Sequence, residues 1–259
     1  MIFHKQVLTG VFPSVLVLLL LYSTEFVVVG QQSYSFVGGP GGDPATNTVE
    51  GDFTFIGAGE SNTASGAGSA VVAGFGNTAA GFDSFVGAGQ GNNAEGDFTF
   101  IGAGESNTAL EAGSAVVAGL DNTAAAIDSF VGAGRQNRAE GLESAVVAGY
   151  KNTAVGIDSV VGGGSENIAE GFFSFVGSGF FNTAKGVESG IVAGYNNVAT
   201  GKDSVIIGGE SNTASGDYSI AMGIKADANK ERSLVINLGK KSLGDNGKKV
   251  SSNNKGEFL

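Results

Sequence analysis

The chain of 259 residues is 42% apolar and 15% charged, with 45 glycines but only three prolines and no three-residue glycine step, so disorder and collagen are both excluded. It carries neither cysteine nor tryptophan, and its one histidine is His4, which leaves the body without thiol chemistry and without imidazole bases or metal ligands. The net charge of -11 is unevenly spread, with five basic and 20 acidic groups over residues 31–224 and eight basic against four acidic from Lys225 onward, a balance that repels phosphate backbones and excludes nucleic acid as a partner.

At the start of the chain, His4 and Lys5 precede an uncharged stretch from Gln6 to Thr24 that contains the apolar run Val15 to Leu21, and small residues up to Gly30 follow. That order predicts a secretory signal over residues 1–30, cleaved before Gln31, and an extracellular or cell-surface location with no membrane insertion after cleavage. An uncleaved anchor is the competing reading, because the apolar stretch nearly reaches spanning length. Residues 31–50, with a glycine-rich turn around Pro40, read as an N-terminal cap.

From residue 51 to 224 a fifteen-residue unit repeats without insertion until the last copy. A hydroxyl residue recurs at Thr54, Ser69, Ser84, Thr99, Ser114 and so on to Ser219, and asparagine keeps the same step at Asn62, Asn77, Asn92, Asn107, Asn122, Asn137, Asn152, Asn167, Asn182, Asn197 and Asn212. Such a period predicts an all-β solenoid of about twelve 15-residue coils, one coil per unit. From Ile56 to Ile206 the second position after the hydroxyl is branched (Ile56, Val71, Val86, Ile101) and the fourth is mostly alanine (Ala58, Ala73, Ala88), so alternation puts all three on the inner face of a short strand. The asparagines and the alanines two residues on (Asn77 and Ala79) share a second inner face, where a stacked amide ladder is expected to satisfy the turn backbone. Glycine columns through Gly59, Gly74 and Gly89 and through Gly66, Gly81 and Gly96 are expected to supply left-handed corners.

On the outer face of the first strand, sizes alternate reciprocally: Phe55 with Gly57, Ala70 with Val72, Phe85 with Gly87, Phe130 with Gly132. This volume matching predicts a face packed against something outside the coil, whereas the outer face of the second strand (Thr63 and Ser65, Arg138 and Glu140) is polar and expected to be wet. Residues 51–89 recur as 96–134 with six substitutions, which suggests a three-coil duplication. After the unit at Ser219, one residue short, Leu234 to Leu238 reads as a closing strand, and the segment 225–259 ends in a polar, basic, loose tail.

The repeats resemble the head of trimeric autotransporter adhesins, the YadA type. Ser219-Ile220-Ala221-Met222-Gly223, followed by Ala226 and Ala228, is closest to the family signature and has its fourteen-residue spacing, the other coils carrying one extra turn residue. The resemblance implies a left-handed parallel β-roll in which three chains pack their apolar sheets together. It thereby assigns Phe55, Phe85, Phe100, Val117, Phe130, Val147 and Phe175 to a homotrimer interface. It also implies a non-catalytic adhesion or recognition module that binds an extracellular-matrix or cell-surface protein or glycan, with no cofactor and no metal. No heptad stalk or membrane barrel segment of that family is read within these residues, so a fragment of a longer adhesin, a freely secreted relative and a borrowed head module all fit the resemblance.

Two other roles fit the same pattern, a self-associating structural matrix protein and an ice-binding β-solenoid. The interrupted threonine column (Thr63, Thr78, Thr108, Thr123) weighs against the second, and the missing histidine weighs against hexapeptide-repeat acyltransferases. Asp128, Glu143 and Asp158, on successive coils, are read as solvated turn charges rather than calcium ligands. The pairs Phe172-Phe173 and Phe180-Phe181 are expected to contact a neighbouring subunit or a ligand.

Overall fold

The structure, a computed structural model, describes residues 35–38, 46–239 and 250–251. The leader over residues 1–30 lies outside them. The chain is all-β, a parallel β-solenoid of about 13 coils of about 15 residues. It divides into two compact units, Met1–Gly113 and Ser114–Leu259.

In the first unit, strands Phe36–Val37, Phe55–Ile56, Ala70–Val71, Phe85–Val86 and Phe100–Ile101 stack in parallel as one ladder, here called the first sheet. Thr48–Val49, Thr63–Ala64, Thr78–Ala79, Asn93–Ala94 and Thr108–Ala109 stack as the second sheet. The second unit repeats both, from Ala115–Val116 to Leu234–Asn237 and from Thr123–Ala124 to Val250–Ser251. Within each unit the register is one coil per step, as in Phe85 opposite Phe100 and Thr153 opposite Ile168. The segment 31–50 thus adds a coil of its own, beyond the twelve counted from the hydroxyl column. The tail is also not wholly loose, because Val250 pairs with Ala226 and Ser251 with Asp227.

Most strands are two residues long because the coil is thin. Its interior holds only the hydroxyl, the branched aliphatic, the asparagine and the second-strand alanine. Ile56, Val71, Val86 and Ile101 are fully buried, as are Ala64, Ala79 and Ala94. A buried valine or isoleucine contributes about 1.5–3 kcal/mol, and the column repeats that gain coil after coil. The alanines Ala58, Ala73 and Ala88 depart from the alternation: they are half-exposed, because the strand ends at the aliphatic residue and the backbone bends before reaching them.

The two glycine columns serve different purposes. Gly59, Gly74 and Gly89 have φ of 99°, 115° and 106°, the left-handed geometry expected of a corner. Gly66, Gly81 and Gly141 have no such φ; a Cβ on Gly81 would lie 1.9 Å from the Gly96 carbonyl oxygen of the next coil, so the column exists for close approach. The left-handed residue at that corner comes two positions later, on Asp83 (φ 49°), Glu143 (55°) and Phe173 (56°). Their strain, about 1–2 kcal/mol each, is offset by a backbone bond to the preceding coil, Glu143 N–H to Ile127 O at 3.0 Å and Phe173 N–H to Ile157 O at 2.9 Å.

The residue by which these coils exceed fourteen is not in a turn. Where the 15-residue coil at Ser204 meets the shorter one at Ser219, Ile206 pairs with Ala221 and Gly208 with Met222, leaving Ile207 as a bulge directly after the buried aliphatic.

Candidate functional site

The inner columns come first, since they hold the outer face in register. Asn152 makes a bond with every polar atom it has: its Nδ2 donates to Asn137 Oδ1 at 3.2 Å, to Ala148 O at 3.1 Å and to Gly164 O at 3.0 Å. Its Oδ1 accepts from the Asn167 backbone N–H at 3.0 Å and from Asn167 Nδ2 at 3.1 Å. The same set recurs at Asn77, Asn92, Asn137, Asn167, Asn182 and Asn197, and each of these amides is fully buried. The column ends at Ala226, whose N–H donates to Asn212 Oδ1 at 2.8 Å.

The hydroxyl column is equally buried but differently satisfied. Thr99 Oγ1 donates to Gly96 O at 2.8 Å and Ser233 Oγ to Lys230 O at 2.7 Å, whereas the Oγ atoms of Ser69, Ser84, Ser114, Ser159, Ser174, Ser189, Ser204 and Ser219 have no partner. Threonine is held in the bonding rotamer by its methyl group, which needs the remaining space; serine is free to turn away.

Outward from the first sheet, each unit carries its share of the seven expected interface residues on that sheet's outer side, Phe55, Phe85 and Phe100 in the first unit and Val117, Phe130, Val147 and Phe175 in the second. Phe55, Phe100, Phe130 and Phe175 are 37%, 40%, 37% and 44% exposed, Val117 and Val147 are likewise exposed, and Phe85 is half-buried. Where two phenylalanine coils adjoin, the rings stack: Phe85 and Phe100 lie 5.5 Å apart with planes 3° from parallel, and Phe36 and Phe55 lie 5.3 Å apart at 10°.

The reciprocal sizes have a cause within the chain that the sequence reading lacked. Each ring folds back along its own strand over the glycine two residues on, so a Cβ at Gly57 would sit 3.1 Å from Phe55 Cε1 and one at Gly177 3.2 Å from Phe175 Cε1. The same Cβ atoms would meet the next coil's carbonyl oxygen at 2.4 Å. Volume matching is therefore partly satisfied inside one coil and does not by itself require a covering partner. The apolar side chains themselves stay exposed in the single chain.

That surface is wider than the seven residues. A third, narrower parallel ladder of single-residue bridges runs from Leu120 through Tyr150, Ser165 and Phe180 to Tyr195, flanking the first sheet on one side. Tyr150, Phe180 and Tyr195 are exposed there, with Lys151 Nζ 5.1 Å from the Tyr150 ring centroid and Phe181 edge-on to Tyr195 at 5.9 Å. On the other side, the corner carries exposed Phe53, Phe98, Ile157, Phe172 and Phe173. Reading the sixth position after each hydroxyl in phase is the signal that finds the first of these flanks, apolar at Phe75, Leu120, Tyr150, Phe180 and Tyr195 and polar at Glu60, Gln90, Glu105, Arg135, Ser165 and Glu210.

The second sheet presents the opposite chemistry. Arg138 and Glu140 form an ion pair at 2.6 Å, and Lys185 reaches Glu170 one coil back at 3.3 Å. Thr63, Thr78 and Thr153 lie half-exposed among them. Asp128, Glu143 and Asp158 occupy left-handed corner positions, and among the described residues no group of three or more His, Cys, Asp or Glu could hold a metal ion. No helix among the described residues is long and apolar enough to cross a membrane. No protein-family model matches the chain, and no curated protein matches its sequence.

Proposed function

We propose that the chain is a non-catalytic adhesion or recognition module of the extracellular space or cell surface, built on the plan of YadA-type trimeric autotransporter adhesin heads. Three copies cover one another's first sheets, and the polar second sheets face outward toward a matrix or cell-surface protein or glycan. The observation that carries this reading is the segregation of exposed side chains between the two sheets: aromatic and aliphatic on the outer side of the first, mostly polar and ion-paired on the second. A contiguous apolar surface of this kind marks an interaction site.

The magnitude favours association. A phenylalanine presents about 150–250 Å², so the exposed fraction of Phe100, 40%, leaves roughly 60–100 Å² in water. Covering it gains about 1.5–2.5 kcal/mol per ring, and the gain recurs along the face. Export rests on the leader sequence, and the absence of imidazole and thiol from the body supports a role without catalysis.

Light scattering on the purified protein tests the assembly, with three chains per particle expected. The double substitution Phe85→Asp and Phe130→Asp is expected to release single chains with an unchanged circular dichroism spectrum. A wild-type particle that is a stable single chain overturns the reading. A binding array of matrix proteins and glycans then tests recognition; a trimer that binds none of them points instead to a self-associating matrix component.

A further inference from the structure

The corner between the first sheet and the asparagine column carries a pair of residues whose backbone is fixed and whose side chains are not. In the second unit each pair follows a left-handed glycine, such as Gly149 (φ 108°) and Gly194 (φ 122°), and precedes a buried asparagine. Its first N–H donates to the following coil, Tyr150 to Gly164 O at 2.9 Å, and its second to the preceding one, Lys151 to Arg135 O at 3.0 Å. The second residue is left-handed whatever its type, as at Gln136 (57°), Lys151 (53°), Glu166 (54°) and Asn196 (54°). Yet no two coils of that unit carry the same pair from Leu120-Asp121 to Glu210-Ser211, whereas Glu60-Ser61 recurs as Glu105-Ser106 in the first unit. A rigid frame that displays a different side chain at each step is the construction of a recognition surface rather than of a core.

Charge singles out one part of this corner. Residues 114–224 hold 11 acidic groups and five basic ones. Three of the five cations are paired with carboxylates, Arg138 with Glu140, Lys185 with Glu170 and Lys202 with Asp203. Among the described residues the other two, Arg135 and Lys151, form no ion pair, although Glu166 stands one coil beyond Lys151 in the same column. Both are exposed, on adjacent coils of the variable corner. Farther along the same ladder Phe180 and Tyr195 are exposed on adjacent coils, with exposed Asn196 beside Tyr195. Coils in a parallel ladder lie about 4.8 Å apart, so the backbones at Arg135 and Tyr195 are about 19 Å apart, the span of a short oligosaccharide.

We propose that this corner of the second unit binds a short oligosaccharide carrying a single carboxylate, which lies along the ladder. Arg135 and Lys151 take the carboxylate, the guanidinium through two parallel N–H donors and the ammonium as a point charge. Phe180 and Tyr195 stack against the C–H faces of sugar rings farther along, and the Asn196 amide and Glu166 carboxylate bond hydroxyls at the ring edges. Aromatic residues here are interleaved with cations, a hydroxyl and a carboxylate rather than massed into an apolar centre, which suits a chain of sugars better than a protein anchor. A polyanion is disfavoured by the acidic excess of the unit, because each charge beyond the first meets carboxylates instead of free cations. The site rests on the recognition role proposed above and narrows its ligand, but it lies within one chain and does not need the lateral assembly.

Saturation-transfer NMR and calorimetry of the purified protein test the site with sialyllactose, a trisaccharide ended by glucuronate, lactose and a heparin oligosaccharide. At least one of the two acidic trisaccharides is expected to bind, about tenfold more tightly than lactose and more tightly than the heparin oligosaccharide. Arg135→Ala with Lys151→Ala should bring that sugar down to the level of lactose, and Tyr195→Ala should weaken it about fivefold, both with an unchanged melting curve because the side chains are exposed. Failure of both acidic trisaccharides to bind overturns the proposal, as does a preference for heparin or an affinity indifferent to the loss of Arg135 and Lys151. Binding that is lost in Lys185→Ala instead also overturns it, and returns recognition to the polar second sheet. Light scattering on the same samples reads the lateral assembly separately, so a failure of this site is distinguishable from a failure of the trimer.

Discussion

Replacing Asn152 with alanine and, separately, Ser159 with alanine sets two equally buried polar columns against each other. The asparagine change removes the acceptor of the Asn167 backbone N–H, a bond of 3.0 Å in a dry environment, and the donor that reaches Ala148 O at 3.1 Å. Gly164 O loses Nδ2 as well, but it keeps the Tyr150 N–H at 2.9 Å. An orphaned buried group costs about 1–3 kcal/mol, and the Ala148 carbonyl is only part-buried, so the expected loss is about 2–4 kcal/mol. Ser159 Oγ has no partner, so its removal orphans nothing; the expected change is within about 0.5 kcal/mol, with either sign allowed. Chemical denaturation followed by circular dichroism gives both values, and hydrogen exchange should localise the asparagine effect to the coils around 148–167. Equal losses for the two variants would refute the hydrogen-bond account of the ladder. Asn152→Asp sharpens the test: a carboxylate facing the Ala148 and Gly164 carbonyls has its folded pKa raised above the unfolded value of about 3.9. Such a group binds more protons folded than unfolded, so this variant is most stable below about pH 4 and loses stability as pH rises through the raised folded pKa.

The corner glycines and the apolar face give three more expectations. Gly141→Ala should cost about 1–3 kcal/mol, because its Cβ would lie 2.1 Å from the Gly156 carbonyl oxygen. Glu143→Gly two residues on should be neutral or stabilising by up to about 1 kcal/mol, since it relieves a left-handed φ of 55°; thermal melts separate the two. Phe85→Ala combined with Gly87→Val should recover none of the loss of Phe85→Ala alone, because the new Cβ would meet the Gly102 carbonyl oxygen at 2.3 Å. Recovery in that double variant would mean that side-chain volume alone governs this face.

The buried half of the fold was legible because a solenoid makes each inner position answer to one requirement repeated in every coil. Asparagine at a fixed step, flanked by a glycine three residues before it and an alanine two after, names its own bonds: Asn77 reaches Ala73 O and Gly89 O just where the period places them. What was not legible depends on backbone geometry that the repeat does not encode by residue type. Glycine at Gly81 and at Gly74 looks alike in sequence, yet one avoids a carbonyl and the other turns the chain. The left-handed residues of the second corner hide behind side chains as unlike as Asp83, Glu143 and Phe173, because a coil-to-coil hydrogen bond offsets the strain and leaves no compositional mark. The outer face was legible in its polarity, but its reciprocal sizes proved ambiguous, since a ring lying over its own glycine produces the same pattern as a ring packed by a neighbour.

The bulge at Ile207 bears directly on that ambiguity. The Ser219 coil shows that a coil of this solenoid closes with fourteen residues, its strand running on from Ile220 to Ile224 without interruption. The fifteenth residue is therefore dispensable for coil closure, and it is placed after the buried aliphatic, on the apolar side. There it adds Val72, Val117, Val147, Val192 and Ile207, all exposed, or a glycine that lets a phenylalanine ring lie flat. An insertion serving only the corner would have no reason to be apolar. Eleven coils that place an extra residue on this outer side, as an aliphatic side chain or as a glycine that in five of six cases follows a phenylalanine two residues before it, describe an apolar face within each unit, and water is a poor occupant for such a face.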